Sequence, residues 1–241
     1  MRCATATDVG LIRDENQDEV LAKDYRGKIL AVVCDGMGGE KSGSLASRMA
    51  VHELFDHFSA NYHEEMNAEE IRALLLSSVS AANSVIYSTA KMDYQNYGMG
   101  TTCVAAFAER GWLSIVNVGD SRAYLIENGQ IRQLTSDHTF VNELYQKGEI
   151  TLEDMNDHPL RNRLTKAVGV ERVVKPDYYH IACGEDFMLL LCSDGLSSYC
   201  SEQEMLHLMQ ENTFTKMPQA LVDMALEKGG RDNISLAIIT N

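Results

Sequence analysis

Short apolar runs, each closed by turn residues, recur along the chain: Glu19–Ala22, Lys28–Cys34, Thr102–Phe107, Trp112–Val118, Ala123–Ile126, Phe187–Cys192 and Ile234–Ile239. They are too short for typical helices and predict β-strands. The connection Glu127–Gln130, with Asn128-Gly129 at its centre, predicts an antiparallel hairpin. Between the early and middle runs the apolar spacing becomes helical. Leu45, Met49, Val51, Leu54, Phe55 and Phe58 form a stripe over Ser44–Phe58. A longer helix is predicted over Ala68–Met92, with Asn67 as N-cap and Glu69 and Glu70 in its first turn. Later helices are predicted over Ser201–Gln210, where Ser201 and Glu204 fit a capping box, and over Pro218–Lys228. Met205, Leu208 and Met209 read as core filling.

The order is strands, two helices, strands, a helical insert near Phe140–Asp157, then strands and two helices. Strand and helix do not alternate strictly, which disfavours a parallel doubly wound sheet. Helices covering antiparallel sheets, an α+β arrangement, fit better. The chain has 241 residues, 45% hydrophobic, and only three prolines, with no Pro/Gly/Ser-rich linker, so one domain over residues 1–241 is expected.

The net charge is −14, and no basic run or basic-aromatic stripe appears, so nucleic acid is excluded as a partner. The six cysteines show no CxxC pair and no zinc spacing. The N-terminus lacks an apolar signal core, and no apolar run approaches the roughly 18 residues that cross a bilayer. A cytoplasmic chain with no membrane partner is expected.

Acids gather at strand ends. Lys28–Cys34 runs into Asp35-Gly36, with Gly38, Gly39 and Gly43 close behind, and Met188–Leu196 runs an apolar strand into Asp194-Gly195. Trp112–Val118 ends in Gly119-Asp120, Asp232 precedes the last strand, and Arg13 and Asp18 precede an early one. A single Asp-Gly is ordinarily a turn. Several at the ends of strands in one core meet at a common rim, where crowded carboxylates repel and call for a cation. Oxygen donors of this kind select Mg²⁺, Mn²⁺ or Ca²⁺ over zinc. Glycine after the acid lets the backbone carbonyl turn toward the same ion. Other readings of the Gly-rich piece fail on spacing: Ser44 stands where a Walker loop needs lysine, and Lys41 where a dinucleotide fingerprint needs glycine. No HExxH, GxSxG or EF-hand loop is present.

Taken together, R-x-x-N-Q-D at Arg13–Asp18, DGMGG at Asp35–Gly39, GMGTT at Gly98–Thr102, GDSR at Gly119–Arg122, SDGL at Ser193–Leu196 and DN at Asp232–Asn233 resemble the metal-dependent Ser/Thr protein phosphatases of type 2C. Leu134–Leu144 and Asn162–Gly169 resemble the bacterial branch, and the matches run in family order from about Asp8 to Ile239. The resemblance implies a four-layer αββα sandwich of two antiparallel sheets flanked by helices, with a flap inserted at about 136–170. It implies that Asp35 bridges two metals, that Gly36 offers its carbonyl, and that Asp194 and Asp232 hold the first metal. Asp18 then serves the other side, and Asp120 with Asp194 fits a third ion, so two or three Mg²⁺ or Mn²⁺ are expected. Arg13 would bind the substrate phosphate. Met37 stands where eukaryotic members carry a histidine that protonates the leaving group, Glu40 where many bacterial members carry one, and Gln17 replaces an acid common in eukaryotic members. The proton donor is then a metal-bound water or His138.

The leading expectation is a cytoplasmic Mg²⁺/Mn²⁺-dependent phosphatase. It would act on phosphoserine and phosphothreonine proteins, oppose a bacterial Ser/Thr kinase, and work as a monomer. A catalytically inactive phosphoprotein-binding module on the same fold is the alternative, which loss of Asp35, Asp194 or Asp232 would favour. A Ca²⁺-binding or other metallohydrolase domain would leave Arg13 unexplained.

Overall fold

The structure, a computed structural model, describes residues 1–38 and 42–241. Gly39, Glu40 and Lys41 lie outside the described residues, and with them the end of the DGMGG motif and the expectations attached to Glu40 and Lys41. In chain order the elements are β1 (Arg2–Asp8), β2 (Asp18–Tyr25), β3 (Lys28–Met37), α1 (Ser42–Asn61), α2 (Ala68–Met92), β4 (Gly100–Thr101), β5 (Cys103–Glu109), β6 (Trp112–Val118), β7 (Arg122–Glu127) and β8 (Gln130–Gln133). There follow α3 (Phe140–Gln146), α4 (Leu152–Asp157), β9 (Asp177–Ala182), β10 (Met188–Cys192), α5 (Asp194–Ser197), α6 (Glu202–Glu211), α7 (Met217–Glu227) and β11 (Ile234–Thr240). Sheet A has the order β1-β11-β10-β7-β8, and sheet B the order β2-β3-β5-β6-β9 with β4 paired onto β3. Every pairing is antiparallel.

Side-chain alternation along the central strands explains the layering. On β3, Ile29, Ala31 and Val33 face sheet A and pack with Leu189, Leu191, Ala237 and Ile239. Their neighbours Leu30, Val32 and Cys34 face the other way, into a core with Leu54, Phe58, Leu75 and Ile86 of α1 and α2. On the far side of sheet A, Leu190, Cys192, Leu236 and Ile238 pack with Met205, Met209, Leu221 and Val222 of α6 and α7. The result is the four-layer αββα sandwich. Such strands, buried on both faces, carry continuous apolar runs, which is why they stand out in the sequence.

The chain pattern matches Trp112–Val118 and Ala68–Met92 to the residue, and Asn67 and Ser201 both close capping boxes. The expected hairpin at Glu127–Gln130 joins β7 to β8. β1 and β9 lack a sequence signal: both are sheet edges, only partly buried, and carry short polar or mixed sequences. The predicted insert helix is two, α3 and α4, separated by a turn in which Gly148 has φ +72°. α2 is long and apolar enough to cross a membrane by length and composition alone, which the apolar runs of the sequence did not suggest. Its apolar residues Ile71, Leu74, Leu75, Val79 and Ile86 instead fill the core beneath α1.

Between β8 and β9 the chain crosses from one sheet to the other through the insert. The return segment is bridged to the start of the insert at Thr139↔Leu164 and to the body at Thr101↔Val168. Asn83, buried in α2, accepts from the Gly169 N–H (2.8 Å) and donates to the Glu171 and Arg172 carbonyls (3.0 and 3.2 Å). Asn83→Ala removes that anchor and leaves buried backbone groups unpaired. It is expected to cost about 1–3 kcal/mol, read by denaturant unfolding, with faster amide exchange at Gly169.

Candidate active site

The alternation that builds the inter-sheet core also aims the first carboxylate. Asp35 has the same parity as Ile29, Ala31 and Val33, so its side chain continues the inter-sheet face at the end where the two sheets part. β3 does not stop before the acid: Gly36 pairs with Thr101 of β4, and Asp35 pairs with Asp18 of β2. The backbone of Asp35 is held on every side. Its N–H donates to Thr102 Oγ1 (2.9 Å), and its carbonyl accepts from the Thr102 N–H (2.8 Å) and the Thr101 hydroxyl (2.8 Å). Ser121, from the GDSR motif, shares a hydrogen bond with Thr102 (2.6 Å).

Glycine is required beside two of the acids for room. A Cβ on Gly36 would lie 2.0 Å from the Gly43 carbonyl oxygen in the first turn of α1, and one on Gly195 would lie 1.9 Å from the Asn233 carbonyl oxygen. The glycines therefore let neighbouring backbones close against the acid-bearing segments. Asp194 opens α5, and Asp232 sits just before β11, so both come from sheet A, opposite Asp18 and Asp35 from sheet B. Asp120 follows β6 after Gly119.

These carboxylates share one electrostatic environment. Burial pushes Asp18 up to about 7, opposed by hydrogen bonds from Ser193 and Ser235 and reinforced by Asp194 and Asp232. Burial and then Asp232 raise Asp194 to about 6, with a hydrogen bond from Asp35 working against the rise. Burial, then Asp194 and Asp137, raise Asp120 to about 8. Asp35 is raised well above the carboxylate range by burial and by the charges of Asp18, Asp194, Asp120 and Asp232. Asp18 Oδ2 accepts from Ser193 Oγ (2.7 Å), but Asp18 Oδ1 and Asp194 Oδ1 are buried without a hydrogen-bond partner. Among the described residues no three such side chains form a ready-made ion cage.

Arg13 Nη2 donates to Asp232 Oδ2 at 2.8 Å. That hydrogen bond, ahead of the opposing desolvation, raises its already high pKa. Its side chain is 54% exposed, and a guanidinium carries five N–H donors. Two cavities meet at Asp35. One of about 780 Å³ holds Arg13, Gly36 and Asp232, and another of about 540 Å³ holds Asp120 and Asp194.

The His138 ring is held by three polar neighbours. The ring is buried, and Nδ1 accepts from the Gly119 N–H (3.1 Å), which places the ring proton on Nε2, 3.2 Å from Asp177 Oδ2 and 3.1 Å from Lys166 Nζ. A second proton would break the Gly119 bond, and burial lowers the pKa further. His138 fixes the Gly119-Asp120 turn, with its own N–H donating to the Gly119 carbonyl (2.9 Å).

Two supports carried little signal in the sequence. Asn233 binds the loop before β2: Oδ1 accepts from the Gln17 N–H (2.8 Å), and Nδ2 donates to the Val9 and Glu15 carbonyls (2.9 and 3.0 Å). The DN dipeptide is its only trace. Arg122 makes a bidentate pair with Asp137, Nε to Oδ1 at 3.0 Å and Nη2 to Oδ2 at 2.6 Å, fastening the start of the insert to β7.

Comparison with known proteins agrees with this arrangement. The family model for protein phosphatase 2C matches residues 13–235. A serine/threonine phosphatase, stp, of Listeria monocytogenes is 38% identical over 243 positions, covering 99% of this chain and 95% of the relative. The protein phosphatase PstP of Mycobacterium tuberculosis is 34% identical over 99% of this chain and 44% of its own length. The solved S. agalactiae serine/threonine phosphatase superposes with a TM-score of 0.93 at 32% identity, covering 100% of this chain and 99% of that one. A structure of the PstP catalytic domain in complex with two manganese ions superposes with a TM-score of 0.86 at 32% identity, covering 98% and 96%. Family model, full-length relatives and fold all coincide, and the chain belongs to the protein phosphatase 2C family.

Proposed function

We propose that this chain, a serine/threonine protein phosphatase of the 2C type, hydrolyses phosphoserine and phosphothreonine with divalent cations held by the carboxylates at the mouth between the sheets. The observation that carries the reading is the pair of buried, partnerless oxygens on Asp18 and Asp194, set among acids that raise each other's pKa. Such oxygens cost free energy unless a cation satisfies them. An all-oxygen donor set suits Mg²⁺ or Mn²⁺. Asp35 and the Gly36 carbonyl would serve a pair of ions, with Asp194 and Asp232 on one side, Asp18 on the other, and Asp120 with Asp194 available to a third. When bound, such ions supply positive charge for phosphoryl oxygens and lower the pKa of water.

The chain's own contributions follow from its geometry. Arg13 presents planar donors to phosphate oxygens and stays charged at any working pH. Its tie to Asp232 sets the guanidinium at the edge of the Asp35 cavity. The Thr101 and Thr102 clamp keeps Asp35 from moving as charge shifts around it. With Met37 at the strand end and His138 held by Gly119, no histidine described at this rim protonates the leaving group. The inactive-module alternative gains no support, since Asp35, Asp194 and Asp232 are all present. Residues 1–241 would act as one catalytic domain with the insert as its flap, as a cytoplasmic monomer working against a Ser/Thr kinase.

Hydrolysis of a phosphothreonine peptide with Mg²⁺, Mn²⁺ or EDTA tests the proposal. Asp194→Asn is expected to lower turnover at least about 100-fold and to weaken Mn²⁺ binding by calorimetry while the fold is retained. Metal-independent turnover, equal in both proteins, would overturn it. Arg13→Ala is expected to lower kcat/KM roughly 10- to 100-fold, the worth of lost charge-assisted hydrogen bonds.

The raised carboxyl pKa values also set a pH dependence. A folded-state carboxyl titrating above its unfolded value keeps a proton that the unfolded chain has released. The contribution of these groups to stability is fully present below about pH 4 and is lost as pH rises toward about 8. Thermal unfolding of metal-depleted protein should show a lower midpoint at about pH 8 than at about pH 5. Mn²⁺ should raise the midpoint more at the higher pH.

A further inference from the structure

The 540 Å³ cavity beside Asp35, Asp120 and Asp194 has an apolar wall that the chemistry of phosphate hydrolysis does not use. Met37 contributes from β3, and Leu164, Val170, Val173 and Val174 contribute from the return of the insert. Val170 and Val173 are 45% and 68% exposed, although valine side chains are ordinarily covered. The wall is built into the body of the protein. Gly100 makes room for Val170, since a Cβ there would lie 2.6 Å from Val170 Cγ2. Asn83 binds the backbone on either side of Val170, and the Thr101↔Val168 bridge fixes its start. Of the two lysines in the lining, Lys166 is engaged: its Nζ lies 3.0 Å from Asp177 Oδ1.

An exposed apolar wall continuous with the reacting centre is covered in use by whatever brings the phosphate there. We propose that it is a specificity pocket for the protein substrate, taking an apolar side chain (Leu, Ile, Met or Val) that flanks the phosphorylated residue, with Val170 and Val173 as its determinants. The occupant is a segment of phosphoprotein because the cavity is shared with Asp35 and Asp194, so only a chain whose phosphate reaches those acids lies against the valines. The proposal rests on the catalytic reading of those acids.

The test uses one phosphothreonine peptide scaffold, with Leu, Gly or Glu placed in turn at successive positions on either side of the phosphoresidue, assayed with Mn²⁺. At one position Leu should raise kcat/KM about tenfold or more over Gly. In Val170→Ser/Val173→Ser that ratio should fall to within roughly twofold, and Val173→Leu should retain it. Equal turnover of the Leu and Gly peptides at every position in the unaltered protein overturns the pocket and leaves the catalytic reading standing. A preference for Glu, lost in Lys175→Ala, also overturns it, because the wall would then be reading charge. Absence of turnover with every peptide overturns the catalytic reading, and the pocket falls with it.

Discussion

Like charge confined in a small space is the constraint around which this molecule is arranged. Five aspartates from both sheets converge where the sheets part, and burial with mutual repulsion shifts four of them upward. An ordinary loop would relieve that repulsion by moving. Here it cannot move, because Asp35 lies within a strand paired on both edges. The core between the sheets, with Ile29, Val33, Leu191 and Ile239 fully or nearly fully buried, anchors the strands that carry the charge. Hydrophobic burial thus holds in place an arrangement that electrostatics alone would disperse.

The polar residues around the acids act chiefly on backbone. Thr101 and Thr102 grip the Asp35 peptide groups, Asn233 ties the loop before Asp18, and His138 fastens the turn that carries Asp120. These residues satisfy buried donors and acceptors while leaving carboxylate oxygens unpaired at Asp18 and Asp194. Stiffness is therefore spent on the main chain, and the side-chain oxygens are left to be satisfied by something bound.

Much of this was legible before any coordinates. Strands buried on both faces announce themselves as apolar runs, and α2 as a capped amphipathic stretch. The acid-glycine pairs at strand ends locate the rim, because a strand end and a close backbone approach both leave local marks. Edge strands such as β1 and β9 were not legible, since a half-buried strand with small or mixed residues has no distinct period. The bond that the His138 ring makes to the Gly119 N–H, 19 positions away in the chain, exists only in the fold. Asn83, more than 80 residues from the backbone it binds, left no trace at all.

The route of the chain between β8 and β9 has a further consequence. The insert leaves from the β8 edge of sheet A and re-enters at the β9 edge of sheet B, whereas the acids sit at the ends of other strands, Asp18 on β2 at the opposite edge of sheet B. Changes in the length or composition of the insert need not pass through the strands that carry Asp18 and Asp35. On the proposed reading of the insert as the substrate-facing element, selectivity and reactivity are separately heritable. A lineage can exchange the surface that greets a partner protein while the charge-bearing frame is copied unchanged, so that divergence among paralogues should accumulate in the insert.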